Sequence, residues 1–238
     1  MSLSYHDWSA EWARGRRYTG TQISDKALPS HITSVINLWN MEMPVAWERK
    51  NWTFLRQRGF RRGDHQNPQP EHKLEKKLFD LSVWEVKGGT LPMHLYPELN
   101  EISFGNRGDG QRKIDVLALL RVGDKTIPLA IEMKGKSTNN CWFAVVENLQ
   151  QLRLLRSYPL SHLALNPWLK PFQQPPLGHS WGMVLAPSPF FAAKGQKTNS
   201  FRQSKELIRR IRKGLGINIL LATFNDNVEG RIDLLPVD

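Results

Sequence analysis

The sequence predicts a mixed α/β (α+β) fold in which a central mixed β-sheet is flanked by helices. Short apolar runs of strand length alternate with longer segments whose apolar residues recur at helical spacing. Hydrophobic residues make up 40% of the 238 residues, so a sizeable core can be buried. From residue 71 onward the predicted order is α-β-β-β-α-β-α-β-β. Such an order is typical of a layered domain with one sheet.

Two helices of this order are predicted from apolar stripes. Leu74, Leu78 and Leu81 follow helical spacing and predict a helix over Glu71–Trp84. A second stripe predicts a helix over Trp142–Tyr158. These two helices bracket the first group of predicted strands.

Further helices are predicted over Ser30–Asn40, with Ser30 as its N-cap, and over Ser200–Lys213, which ends at Gly214. Strands are predicted where apolar runs stand between turn-forming residues. One or two short extended pieces are predicted within Leu91–Phe104, among prolines and glycines. The other predicted strands are Lys113–Val122, Thr126–Lys134, Trp181–Ala186, Ile217–Phe224 and Arg231–Val237.

The first 70 residues differ in composition from the rest of the chain. They are rich in tryptophan, and the segment from Arg49 to Arg62 contains six basic residues and no acid. Gly63–Pro70 is rich in turn formers and is expected to be a loop or linker. We therefore expect an N-terminal extension over residues 1–70 and one larger domain over residues 71–238.

The charge of the chain indicates a polyanionic partner. Lysine and arginine number 33 against 22 acids, which gives a formal net charge of +11 and a pI near 9.9. Such a balance favours nucleic acid, because each basic residue on a phosphate releases a counterion. The alternative is that these residues form the solvated faces of ordinary helices. The candidate nucleic-acid contacts are Arg49, Lys50, Arg56, Arg58, Arg61, Arg62, Arg209 and Arg210.

Several classes of protein find no support in the sequence. Cys141 is the single cysteine, so a disulfide framework and a cysteine zinc cluster are not expected. No apolar run reaches ~20 residues, and the N-terminus lacks the apolar region of a secretory signal. P-loop and serine-hydrolase motifs are also missing. A cytoplasmic protein without membrane contact is expected.

The most informative stretch is a predicted hairpin that brings three charged residues together. If Gly123 and Asp124 form the turn, Asp115 lies opposite Glu132. If the turn slips by one residue, Asp115 faces Lys134 instead. Both registers bring the three side chains to the same end of the hairpin.

This combination of residues suits metal-dependent hydrolysis of a phosphodiester. Strand alternation places Glu132 and Lys134 on the face opposite Ile131 and Met133. Paired carboxylates repel unless a cation lies between them, and oxygen ligands suit Mg²⁺. An ammonium group nearby can orient the nucleophile or stabilise developing charge. The alternative is a surface hairpin with a cross-strand ion pair.

An aspartate, a spacer with a turn, and Glu-x-Lys on the next strand resemble the signature of the PD-(D/E)XK superfamily of restriction-endonuclease-like nucleases. That superfamily's αβββαβ core also resembles the element order over Glu71–Ala186. The resemblance implies a restriction-endonuclease-like core, with Asp115 and Glu132 as metal ligands and Lys134 as the catalytic lysine. It also implies a further catalytic acid upstream, which Glu75 matches.

Glu101 is the competing candidate for the upstream acid, because it directly precedes the apolar residues 102–104. Two features depart from the superfamily pattern. Ile114 stands where a proline is common, and Gln150 and Gln151 lie eight and seven residues before Tyr158 instead of four.

The sequence therefore predicts an Mg²⁺-dependent endonuclease in which Mn²⁺ substitutes for Mg²⁺ and DNA is favoured over RNA. One alternative is a non-catalytic nucleic-acid-binding subunit of a larger DNA-processing or defence complex. Another is a basic adaptor that binds protein. A homodimer and a subunit of a complex are both compatible with the sequence, and strandedness of the substrate and sequence specificity stay open.

Overall fold

In the computed structural model, the described residues are 5–17, 23–41, 70–104, 112–136, 140–156, 180–191 and 196–237. The helices within them are α1 (Tyr5–Arg17), α2 (Leu28–Asn40), α3 (Pro70–Phe79), α4 (Cys141–Arg156), α5 (Ser188–Phe191) and α6 (Gln196–Leu215). The strands are β1 (Trp84–Lys87), β2 (Met93–Phe104), β3 (Arg112–Val122), β4 (Lys125–Met133), β5 (Ser180–Ala186), β6 (Ile217–Phe224) and β7 (Arg231–Leu235).

The seven strands form a closed barrel in which neighbours follow the order of the sequence. Strands β1 to β4 pair antiparallel, β5 pairs parallel with both β4 and β6, and β7 is antiparallel to β6. The barrel closes through a parallel pairing of β1 with β7, in which Val86 lies opposite Ile232. The predicted fold class, an open central sheet flanked by helices with a restriction-endonuclease-like core, is therefore wrong.

The strand that closes the barrel, β1, begins at the last residue of the helix that was predicted over residues 71–84. Helix α3 ends at Phe79, and Trp84 begins β1. The buried indole N–H of Trp84 donates to the carbonyl of Leu78, 2.9 Å away. This bond satisfies one of the carbonyls that a helix leaves unpaired in its last turn. The same indole packs edge-on against Phe224, so Trp84 belongs to the barrel and not to the helix.

The predicted hairpin is confirmed. β3 and β4 pair from Val122 opposite Lys125 to Val116 opposite Ile131, so Gly123 and Asp124 form the turn. Gly123 adopts φ 55°, a conformation that glycine reaches without strain. This is the first of the two registers considered, and it places Asp115 one residue beyond the last of these pairs.

Two hydrophobic clusters lie on opposite faces of the barrel wall. The inner cluster takes residues from all seven strands, including Leu129, Ile131 and Met133 of β4. The outer cluster packs α1, α2, α4 and α6 against residues such as Ala130 and Val184. Since successive residues of a strand point to opposite faces, Glu132 lies on the outer face, beneath the helices.

The first two helices are part of this outer layer. Trp8 and Trp12 of α1 are fully buried in the outer cluster. The helix predicted over Ser30–Asn40 is confirmed as α2, but it begins earlier than predicted, with Ala27 as its N-cap. The prediction of Ser30 as the N-cap is wrong, because its hydroxyl donates to the carbonyl of Ala27 from inside the helix. Among the described helices, none combines the length and the apolarity needed to cross a lipid bilayer.

Candidate active site

Asp115, Glu132 and Lys134 lie together on the outer face of the barrel, next to α4. Glu132 projects from β4, and Lys134 follows the last residue of that strand. The backbone N–H of Lys134 donates to the carbonyl of Leu185 on β5, 3.0 Å away. The chain is thus held in extended form up to Lys134, which keeps its side chain on the same face as that of Glu132.

The ammonium group of Lys134 is surrounded by carboxylates. It forms a short ion pair with Glu132, and its Nζ lies 3.0 Å from Oε2 of Glu147 and 3.9 Å from Oε1 of Glu71. The residue is only 5% exposed. Burial by itself would lower the pKa of Lys134, but Glu132, Glu147 and Asp115 outweigh it and hold this pKa well above its ordinary value. Lys134 is therefore charged at neutral pH.

Asp115 is half-buried on β3, and its Oδ2 accepts a hydrogen bond of 2.8 Å from the backbone N–H of Met133. Burial of the carboxyl group raises the pKa of Asp115 to about 7. Lys134 and the Met133 N–H oppose this rise, whereas the charges of Glu147 and Glu71 add to it. Near neutral pH the Asp115 carboxyl is therefore divided between its protonated and ionised forms.

The pKa of Glu132 is also raised, well above its ordinary value. Burial is the main cause, and the negative charges of Asp115 and Glu147 add to it, while Lys134 opposes it. The side-chain amide of Gln151 on α4 donates a short hydrogen bond to Oε2 of Glu132. Two carboxyl groups that resist ionisation thus stand next to each other.

Glu147 behaves in the opposite way. Burial favours its neutral form, but Lys134 and Arg16 together hold the pKa of Glu147 below its ordinary value. Nη1 of Arg16 donates to Oε1 of Glu147 over 2.9 Å. Glu147 is therefore the ionised carboxylate that both cations share.

The charge balance of this cluster suits a divalent cation. Four carboxyl groups (Asp115, Glu132, Glu147 and Glu71) face two cations, Lys134 and Arg16. Ionising all four carboxyls would leave an excess of two negative charges, which either protons or a divalent ion can neutralise. Within the described residues, no group of three or more His, Cys, Asp or Glu side chains is placed to bind a metal. Mg²⁺ commonly uses only one or two carboxylates together with waters, and the sequence predicted Asp115 and Glu132 as such a pair.

Helix α4 packs over β4 and supports the site through buried side-chain amides. Nδ2 of Asn148 donates to the carbonyl of Ala130, 3.0 Å away, and lies 3.3 Å from Oε1 of Gln151. Gln151 in turn holds Glu132. These bonds fix the helix over β4 and orient the carboxyl group of Glu132.

The upstream acids occupy different places. Glu75 is buried on α3, and Glu71 lies one turn earlier on the same helix face. Oε1 of Glu71 lies 3.9 Å from Nζ of Lys134. Glu101 lies on β2, and its side chain is outside the described part of the chain. Helix α3 therefore brings an acid to Lys134, one turn before the predicted Glu75.

Most of the predicted nucleic-acid contacts, namely Arg49, Lys50, Arg56, Arg58, Arg61 and Arg62, lie outside the described residues. Arg209 and Arg210 lie on α6, where both pair with Glu206, at 2.7 and 3.1 Å. They line a cavity of about 730 Å³ between α2 and α6. Lys134 and the acids around it are not among the residues that line this cavity.

Four residues of the site were not predicted from the sequence: Arg16, Glu71, Glu147 and Gln151. A signal existed for the two on α4, because Glu147, Asn148, Gln150 and Gln151 interrupt the apolar run over residues 141–152 of that helix. Polar side chains at buried positions need partners, so this group indicated a polar neighbour on the sheet. No comparable signal marked Arg16.

No protein-family model, curated protein or solved structure matches this chain.

Proposed function

We propose that this chain is a metal-dependent nuclease that hydrolyses phosphodiester bonds of DNA, with Asp115, Glu132 and Lys134 as its catalytic groups. The observation that carries the proposal is the placement of Asp115, Glu132 and Lys134 together on one face of the barrel. Burial raises the pKa of both carboxyl groups, and the neighbouring carboxylates raise that of the lysine. Perturbed groups that cluster in this way are typical of catalytic sites.

Asp115 and Glu132 would hold the cation, and their oxygen ligands suit Mg²⁺, with Mn²⁺ as its substitute. A divalent ion in such a site supplies neutralisation of phosphate charge and activation of water at neutral pH. The two carboxyl groups would lose their protons on binding it, since a ligand must be ionised to coordinate a metal.

Lys134 would act on the phosphate itself. Its ammonium stays charged at neutral pH because the surrounding carboxylates stabilise it. Such a group can donate hydrogen bonds to a phosphoryl oxygen as negative charge develops there. Its placement by Glu132 and Glu147 would keep the ammonium oriented before the substrate arrives.

A nucleic-acid substrate is favoured by the net charge of +11, which attracts a polyanion. An endonuclease acting on DNA is the specific form of the proposal. A cytoplasmic location is part of the same proposal, in keeping with a chain whose single cysteine is buried as a thiol.

One observation favours a second candidate, a non-catalytic nucleic-acid-binding subunit. Lys134 is almost fully buried and bound by carboxylates, so the cluster could serve only to hold α4 on β4. In that case substitutions within the cluster would change stability, and DNA would be bound without being cut.

The test is cleavage of plasmid, oligonucleotide duplexes, single strands and RNA by the purified protein in Mg²⁺, Mn²⁺ or EDTA. We expect metal-dependent cutting of DNA that falls by about 100-fold or more in Glu132→Gln and Lys134→Met. Lys125→Met is the matched control, because Lys125 is exposed at the opposite end of β4. Its rate should equal that of the wild type.

Two results would refute the nuclease proposal. Salt-sensitive DNA binding without cutting in any metal would favour the binding subunit. DNA affinity that is absent or independent of salt would favour a basic adaptor for proteins.

A further inference from the structure

The N-terminal helix α1 reaches the candidate site through a buried ion pair. Arg16 and Glu147 are 131 residues apart in sequence, and their side chains are 4% and 20% exposed. One carboxylate oxygen of Glu147 accepts from Arg16 at 2.9 Å, and the other lies 3.0 Å from Nζ of Lys134. A single carboxylate therefore links α1 to the lysine.

Further contacts fix this arrangement. The ring of Phe143 lies 5.3 Å from Cζ of Arg16 and 5.8 Å from Nζ of Lys134, so both cations approach the same aromatic ring. Next to Arg16, the carbonyl of Gly15 accepts a hydrogen bond from the indole of Trp142. The backbone of α1 is thereby anchored to α4 beside the ion pair.

We propose that Arg16 is a positioning residue of the candidate active site, acting through Glu147 on Lys134. The catalytic part of this inference rests on the proposed function. An ammonium that lay against Glu132 alone would compete with a bound cation for that carboxylate. Glu147, held by Arg16, gives Lys134 a second partner besides Glu132, so the lysine would keep its place when a cation binds to Glu132.

Arginine suits this role better than lysine does. Its guanidinium remains charged under all accessible conditions, and it is more weakly hydrated than an ammonium, so burying it costs less. Arg16→Lys should therefore keep part of the effect, whereas Arg16→Met should lose it. Glu147→Gln keeps the shape of the bridge and removes its charge.

The control is Arg14→Met. Arg14 lies on the same helix, its side chain is 65% exposed, and it pairs with Glu11 within α1. This variant removes the same kind of charge from the same helix without touching Glu147. Thermal unfolding of all variants shows which of them are folded.

The first measurement is the nitrogen-15 NMR signal of the Lys134 ammonium, identified by its loss in Lys134→Met. A buried ammonium bound by two carboxylates exchanges its protons slowly, so wild type and Arg14→Met should give the same sharp signal. Arg16→Met and Glu147→Gln should shift or broaden it. An unchanged signal in folded Arg16→Met would overturn the inference, whether or not the protein cuts DNA.

The second measurement is cleavage kinetics. We expect kcat to fall by about 10- to 100-fold in Arg16→Met while KM changes little, because the residue orients a catalytic group and does not bind substrate. If the Lys134 signal shifts in Arg16→Met but the wild-type protein never cuts DNA, the positioning role is supported and the proposed nuclease is refuted. If the wild type is active and Arg16→Met keeps the same kcat, the role of Arg16 in catalysis is refuted.

Discussion

At the scale of single residues, protons and cations compete for the carboxyl groups of Asp115 and Glu132. The half-buried Asp115 and the buried Glu132 lie close to each other, and each would be more easily ionised if a further cation were present. Lys134 supplies part of that charge but is shared with Glu147. Binding of a divalent ion by the two carboxyl groups should therefore displace protons from them.

A stability measurement tests the raised pKa of Asp115. Its pKa is about 7 in the folded protein and near 3.8 when unperturbed, so between these values the folded state holds a proton that the unfolded chain has lost. Stability should therefore fall as pH rises from about 4 to 7. In Asp115→Asn this fall should be smaller. Each kcal/mol of unfolding free energy that no longer changes with pH corresponds to about 2–4 °C in Tm.

The measurement is thermal unfolding between pH 5 and 8 in EDTA. Asp124→Asn is the control, because Asp124 is exposed in the β3–β4 turn, and it should keep the wild-type slope. Equal slopes in wild type and Asp115→Asn would show that Asp115 does not hold a proton in the folded protein.

At the scale of elements, the site depends on how closely α4 lies on β4 and β5. Gly182 of β5 leaves room for Asn148, whose amide reaches the carbonyl of Ala130 on the neighbouring strand. A methyl group at residue 182 would overlap the Asn148 side chain and lie 3.0 Å from Cδ1 of Leu152. The helix can approach this far only because residue 182 has no side chain.

Gly182→Ala should therefore destabilise the protein by about 1–3 kcal/mol, because Asn148 must give up its bond to Ala130 or α4 must move away. Gly214→Ala is the matched control. Gly214 lies in the last turn of α6 with nothing within 4 Å of an added Cβ, so alanine there should be neutral or stabilising by up to about 1 kcal/mol.

Urea unfolding compares the two variants. A loss of stability in Gly182→Ala no greater than in Gly214→Ala would show that α4 does not depend on this close approach.

Elements governed by local rules could be predicted from the sequence. The β3–β4 register followed from a Gly-Asp turn and strand alternation, which require only neighbouring residues. Strand β6 was predicted with its observed bounds for the same reason. Strand β1 was missed because Leu81 continued the apolar stripe of α3, although Trp84 leaves the helix to pack in the barrel.

At the scale of the whole molecule, closure of the barrel depends on contacts between distant segments. β1 and β7 lie about 145 residues apart, and their parallel pairing brings Val86 next to Ile232. The spacing of apolar residues and the composition of each segment reveal that strands exist, but they do not show that the first and last strands will pair. The residues of the site fall into a local group and a distant group. Asp115, Glu132 and Lys134 share a hairpin and could be predicted together. Arg16 and Glu147 meet only through tertiary packing.

The molecule is basic overall, whereas its candidate site is rich in carboxyl groups. The chain carries +11 overall, yet its candidate site gathers four carboxyl groups around two cations. A basic surface attracts a polyanion, but an acidic site repels phosphate unless a cation intervenes. A divalent ion at Asp115 and Glu132 would reconcile the two.

The most direct test is calorimetric titration of the protein with Mn²⁺ near pH 7, in buffers of different ionisation enthalpy. We expect a single Mn²⁺ to bind with release of protons, and we expect both effects to be lost in Asp115→Asn and Glu132→Gln but kept in Asp124→Asn. Binding that is absent from the wild type, or that persists unchanged in the two site variants, would contradict a cation site at Asp115 and Glu132.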